Sequence, residues 1–136
     1  MKQYKIVLPE YPRGFHLITD IINRELSHGF PQTGILHLFL QHTSASIMIN
    51  ENFEESVRMD LETSFNDIVK ENKEYYTHTT EGSDDMPAHI KAAMIGTEIS
   101  IPITNGTMNL GQWQGIFLCE FRNRGGRRKI IATIIE

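Results

Sequence analysis

The chain has a single cysteine, Cys119, so no disulfide can form within it. A cross-linked secreted scaffold is thereby excluded, and a lone thiol fits a reducing, cytoplasmic setting. No apolar run approaches the roughly 20 residues that a helix needs to cross a bilayer, so no membrane partner is expected. The start, Met1-Lys2-Gln3-Tyr4-Lys5, runs straight into a strand-like segment and lacks a signal-peptide apolar region. Strong charge of one sign is also missing. Lys and Arg number 13 against 17 Asp and Glu, for a formal net charge of −4, and the acids are dispersed. Nucleic-acid binding needs clustered cations. The one basic cluster, Arg122, Arg124, Arg127, Arg128 and Lys129, straddles Gly125-Gly126 and reads as a charged hairpin turn, so no nucleic acid is expected. Repeats, low-complexity tracts and linkers are absent.

Apolar residues make up 40% and charged residues 22% of the 136 positions, the profile of one globular domain spanning residues 1–136. Tyr4 to Leu8 reads as a strand ended by Pro9 and Pro12, with Gly14 at a turn. Thr19 is placed to cap a helix carrying Ile21, Ile22 and Leu26, and Gly29 to stop it. Gly34 to Gln41 is a near-continuous apolar run and predicts a central strand, and Ala45 to Asn50 predicts another. The period then changes. Phe53, Val57, Leu61, Phe65 and Ile68 form one apolar stripe of a helix, with Asn52 as its cap. A long polar loop, Glu71 to Asp85, leads to a helix over Met86 to Gly96. The rest is strand: Glu98 to Ile103 and Met108 to Leu110 around Asn105-Gly106, a hairpin signal, then Gly115 to Phe121 paired with Lys129 to Ile135. Strands gathered at the C-terminal end predict an α+β fold rather than alternating α/β.

Polar residues collect where these elements end. His42-Thr43-Ser44-Ala45-Ser46 joins two strands and offers hydroxyls to an anion; local turn bonding is the simpler explanation. Asn50 and Glu51 stand where a strand gives way to a helix. His78, Glu81, Asp84, Asp85 and His89 run from the long loop into a helix start, where the dipole favours a neutral imidazole able to ligate metal. Lys91 follows in the same turn and is a candidate phosphate holder. Trp113 is a core or interface aromatic that could also stack on a ring. Cys119 shares a face with Phe117 and Phe121, whereas Glu120 and Arg122 share the opposite face. The simplest reading pairs those two charges with each other; the functional one makes them a metal-bridging carboxylate and a phosphate clamp. His37 inside an apolar strand reads as a core histidine.

The run Gln41-His42-Thr43-Ser44-Ala45-Ser46-Ile47-Met48-Ile49-Asn50-Glu51-Asn52 resembles one signature of the YjbQ-like family. Ala88-His89-Ile90-Lys91-Ala92, Gly96, Ile101-Pro102-Ile103, Asn105-Gly106, Leu110-Gly111 and Trp113-Gln114-Gly115-Ile116 resemble a second. Gln112 departs from it, since a threonine is expected before the tryptophan. The resemblance implies a twisted, mostly antiparallel sheet with two to three helices, assembled as a homotrimer. It implies a pocket lined by His42, Thr43, Asn50, His78, His89 and Trp113. Three neutral imidazoles, His42, His78 and His89, would suit zinc or another divalent ion such as magnesium or manganese. The activity implied is that of a thiamine-phosphate synthase, joining a pyrimidine-methyl diphosphate to a thiazole phosphate with release of pyrophosphate. In that reading Lys91 and Arg122 stabilise the departing charge, Thr43 and Ser44 anchor phosphate, and Trp113 stacks on the heterocycle. Two alternatives stand beside it. One is metal-assisted hydrolysis of a small phosphorylated compound, with His42, Asn50, Glu51 or Glu120 handling water and protons. The other is a non-catalytic module that binds a metal or a phosphorylated metabolite.

Overall fold

Eight strands and three helices make up the computed structural model, which describes residues 1–136. The strands are β1 (Lys2–Val7), β2 (Gly14–Leu17), β3 (Thr33–Leu40), β4 (Ala45–Glu51), β5 (Glu98–Thr104), β6 (Thr107–Met108), β7 (Gln114–Glu120) and β8 (Lys129–Ile135). The helices are α1 (Thr19–Leu26), continued by a 3-10 turn over Ser27–Gly29, α2 (Glu55–Ile68) and α3 (Asp85–Ile95). Every strand pairing is antiparallel. One sheet has five strands in the order β1-β8-β3-β5-β6; the other has three, β2-β7-β4. The expected α+β class with a mostly antiparallel sheet and three helices is what the chain adopts.

Residue alternation sets the layering. Ile116 and Leu118 of β7 face the five-stranded sheet and join one core with Leu36, Leu38, Ile130 and Ala132. Their neighbours Phe117, Cys119 and Phe121 face the other way and join Phe15, Ala88 and Ala92. β7 is therefore buried on both faces, which explains its unbroken apolar run. Each such side chain contributes roughly 1.5–3 kcal/mol by leaving water. Burial also pushes the Cys119 thiol pKa up, which fits a core residue and not a nucleophile.

Several local expectations give way to tertiary pairing. Lys129 to Ile135 does not pair with the strand before it: β7 joins β2 and β4, and β8 joins β1 and β3. The basic segment between them is a crossover between sheets rather than a hairpin. Gly14 begins β2 at φ +138° instead of making a turn. Thr19 caps nothing; its Oγ1 accepts the Ile116 N–H at 2.9 Å. Asn52 donates from Nδ2 to the carbonyls of Gln112 and Gln114, and Glu51 Oε2 takes over the helix start, accepting the N–H groups of Phe53 and Glu54 at 2.9 Å each. The α2 stripe leaves no residue of that helix buried. β3 is central, yet only one face is covered: Leu36, Leu38 and Leu40 are buried while Ile35 and Phe39 are exposed. The Asn105-Gly106 hairpin forms as expected, with both residues at positive φ.

Candidate metal centre

Asp85 and His89 are four residues apart on the first turns of α3, so they share a face. The loop before α3 brings His78 to the same place. One ligand-capable atom from each of the three lies within 4.8 Å of the others. His78 Nε2 is 2.5 Å and His89 Nε2 3.2 Å from Asp85 Oδ2. The carboxylate is buried and the two imidazoles are partly exposed. Metal–nitrogen and metal–oxygen bonds of about 2.0–2.2 Å put tetrahedral ligands roughly 3.3 Å apart. The His89–Asp85 spacing already meets that, whereas His78 stands closer to Asp85 than two ligands of one ion would.

The tautomer of His89 is set by its other nitrogen. Nδ1 lies 2.9 Å from the Thr43 carbonyl, which can only accept, so Nδ1 carries the proton. In the neutral ring Nε2 is then a bare lone pair aimed at a carboxylate oxygen. Two acceptors at 3.2 Å need a cation between them, either a proton or a metal ion. Donation of the far N–H to a backbone carbonyl is also how metal-bound histidines are usually oriented.

Arg122 holds the acid in place. Nη1 donates to Asp85 Oδ1, Nε to Asp84 Oδ2 at 2.9 Å, and Nη2 to the Glu81 carbonyl at 2.9 Å. Asp85 Oδ2 is left for the histidines. Burial pushes the Asp85 pKa up, but the His78 hydrogen bond and the Arg122 guanidinium outweigh it, and the carboxyl stays below its ordinary range. Asp84 behaves alike: its burial is outweighed by the Asn123 N–H and Arg122.

His42 does not join this cluster. Its Nε2 accepts the Lys129 N–H at 2.8 Å, which leaves the neutral ring's proton on Nδ1, 3.3 Å from Arg128 Nη1. Desolvation, with Arg128 and Lys129 added, pulls its pKa down. Behind it lies a buried ion pair. Arg128 donates from Nε to Glu120 Oε1 at 2.8 Å and from Nη2 to Oε2 at 2.6 Å, and Nη2 also reaches Ser44 Oγ at 3.0 Å.

These contacts redistribute the expected site residues. His78 and His89 converge, with Asp85 where His42 was expected. The expected Glu120–Arg122 pairing gives way: Glu120 is fully buried against Arg128, and Arg122 faces the acids before α3. Three of the five Arg122 N–H donors are engaged by Asp84, Asp85 and the Glu81 carbonyl, and two acids already face its charge. Lys91 is buried to 1% exposure and donates to Asn66 Oδ1 at 2.7 Å, so it is no phosphate holder either. Ser44 is buried on Arg128, and Thr43 serves through its carbonyl. Asn50, Glu51 and Trp113 lie at the other end of the β4–β7 pair. Ala45 is opposite Glu120 at one end and Glu51 opposite Gln114 at the other, roughly 20 Å apart at about 3.3 Å per residue. There Glu51 caps α2, and Trp113 stands 54% exposed against Phe53. The signal for Asp85 is its four-residue spacing to His89, which puts both on one helix face.

A groove opens beside His89. Its inner lobe, about 280 Å³, is lined by His42, Thr43, His89, Ala92, Ala93 and Thr97. A larger cavity, about 470 Å³, lies between β2 and α2 and is lined by Phe15, His16, Glu55, Arg58 and Glu62; none of these belongs to the His78–Asp85–His89 cluster.

A two-layer antiparallel sheet backed by helices, with a His–Asp–His cluster at the start of α3, defines the class. The chain belongs to the YjbQ-like UPF0047 family, whose model matches residues 4–136. It is 52% identical over 134 residues to UPF0047 protein YjbQ of Salmonella typhimurium, covering 97% of this chain and 96% of that one. It is 48% identical to the Escherichia coli O157:H7 protein over the same shares. Among solved structures, a YjbQ/UPF0047 protein of Clostridium acetobutylicum superposes with a TM-score of 0.80 at 30% identity, covering 99% of this chain and 100% of that one. These findings correct one expectation. The relatives carry family names without an activity, and thiamine-phosphate synthase activity belongs to a different fold family. The transferase reading falls with it.

Proposed function

We propose that the chain binds one divalent metal ion through His78, Asp85 and His89, and presents it to a small molecule held in the adjoining groove. The observation that carries this is the His89 ring, whose proton is committed to the Thr43 carbonyl while Nε2 faces a carboxylate. Two imidazoles and one carboxylate suit zinc, and three protein ligands leave a position open. When bound, such an ion supplies Lewis-acid polarisation of a ligand oxygen. The chain's own residues orient His89, hold Asp85 and keep Arg122 from competing.

The test is metal content after zinc loading. About one zinc per chain is expected for the wild type, with loss in folded His89→Ala and Asp85→Asn variants. A wild type that stays metal-free, or variants that retain full occupancy, would mean that the His89–Asp85 contact is an imidazolium ion pair instead.

The reading includes self-association. Val7, Ile35, Phe39 and Ile135 are exposed on the five-stranded sheet, and Ile35 stands opposite Ile135. The helices pack on the other sheet. An uncovered apolar sheet face suits a second copy of the chain, in keeping with the trimer that the resemblance implies. Light scattering should show a mass of three chains for the wild type and one for Ile35→Lys; a monomeric wild type refutes it.

A further inference from the structure

His42 stands where the inner lobe of the groove meets an outer lobe of about 310 Å³, and it lines both, as do Thr43 and Thr97. Its two ring nitrogens are differently placed. Nε2 accepts the Lys129 N–H at 2.8 Å, so the proton of the neutral ring is on Nδ1. Nδ1 faces Arg128 Nη1 at 3.3 Å, and Nη1 can only donate. Two N–H donors therefore meet with no protein acceptor for either. The remaining Arg128 donors are used: Nε and Nη2 go to Glu120, and Nη2 also reaches Ser44. Arg128 is only 4% exposed. A buried donor without an acceptor is costly, so the pair calls for an oxygen from outside the chain.

The surrounding charge selects the kind of oxygen. The Arg128 charge is matched by Glu120, which is fully buried against it. The His42 ring is kept neutral by burial and by the neighbouring cations. Lys129 is exposed, joins none of the ion pairs, and lies close enough for its charge to act on His42. One uncompensated positive charge thus stands beside the donor pair. A carboxylate matches it, with one oxygen for the His42 and Arg128 donors and the other toward Lys129. A phosphate monoester would bring roughly 1.5 to 2 negative charges to the same place. Ala92 and Ala93 wall the inner lobe next to His42 and suit an apolar body.

We infer that the junction of the two lobes is a carboxylate subsite, formed by His42 Nδ1–H, Arg128 Nη1 and the Lys129 ammonium, and that the groove takes a small organic acid with an apolar body. The inference rests on the groove of the proposed function and not on its metal. An ion at His89 adds to the attraction for an anion and leaves the donor pair as it is.

The test uses the chain with and without zinc, and metal content of the same samples reports on the metal reading separately. NMR of the imidazole nitrogens should show His42 protonated on Nδ1, with that proton moving downfield as benzoate binds. Calorimetric titration of the zinc-free chain with benzoate, benzyl alcohol and phenyl phosphate should find benzoate the tightest. Lys129→Gln, at an exposed position, should fold and weaken benzoate roughly tenfold, the worth of one charged hydrogen bond, with benzyl alcohol unchanged. No benzoate binding without zinc, equal benzoate binding in Lys129→Gln, or tighter binding of either other probe overturns the inference, as does a His42 proton on Nε2.

Discussion

Replacing Arg128 with methionine should be among the most damaging single changes in the chain. Glu120 is fully buried, and Arg128 meets both of its oxygens. The variant leaves the carboxylate with one remaining donor, the Arg122 N–H at 3.1 Å. Removing one partner of a buried pair costs about 3–5 kcal/mol, because the other charge stays behind without compensation. Against a total stability of about 5–15 kcal/mol for a domain, Arg128→Met is left near the edge of folding. A second consequence separates this account from simple loss of packing. The stranded carboxyl escapes its penalty by taking up a proton, so the loss should be largest at pH 8 and shrink toward pH 5. The double variant Glu120→Leu/Arg128→Met removes both charges and should recover at least half of the loss. Urea titrations of the three proteins at the two pH values measure all of this. A single variant that loses less than about 1 kcal/mol, or the same amount at both pH values, refutes the reasoning.

Two further outcomes are expected. His42 has a folded pKa pulled below its ordinary value by desolvation and by Arg128 and Lys129. Its contribution is therefore complete above about pH 6.5 and lost as pH falls from there through the folded value. Wild type should lose more stability than His42→Gln between pH 7 and pH 5 in urea titrations, and equal losses would show that His42 does not carry the effect. Glu51→Ala removes the acceptor for two N–H groups at the start of α2 and should cost about 1–2 kcal/mol with zinc binding unchanged; lost zinc would put Glu51 back in the site.

Most of the fold was legible because it rests on local periods. The apolar run of β3, the β4 strand, the Asn105-Gly106 turn and the two longer helices follow from spacing within a dozen residues. What stayed hidden was pairing at a distance. Lys129 to Ile135 sits nine residues after β7 and looks like its hairpin partner, yet its neighbours are β1 and β3. No local feature distinguishes a crossover between two sheets from a turn, and Gly125-Gly126 permits both. Gly125 is needed for another reason: a Cβ there would fall on the Glu120 carboxylate.

The same distinction governs the site. From sequence, polar clusters are assigned by chemical type, so Lys91, Arg122 and Glu120 read as a phosphate holder, a clamp and a metal bridge. Whether a charge is available depends on what it already touches, and that is a tertiary fact. Arg122 spends its donors on Asp84, Asp85 and a carbonyl, Arg128 on Glu120 and Ser44, and Lys91 on Asn66. Each lies between segments distant in sequence, where burial makes a partner obligatory. The charges near the cluster thus hold the crossover, the long loop and α3 in register. His78, Asp85 and His89 differ in one respect: the Thr43 carbonyl fixes one His89 proton on Nδ1, so Nε2 meets the Asp85 carboxylate through either a second proton or a metal ion. Metal content is the measurement that separates the two.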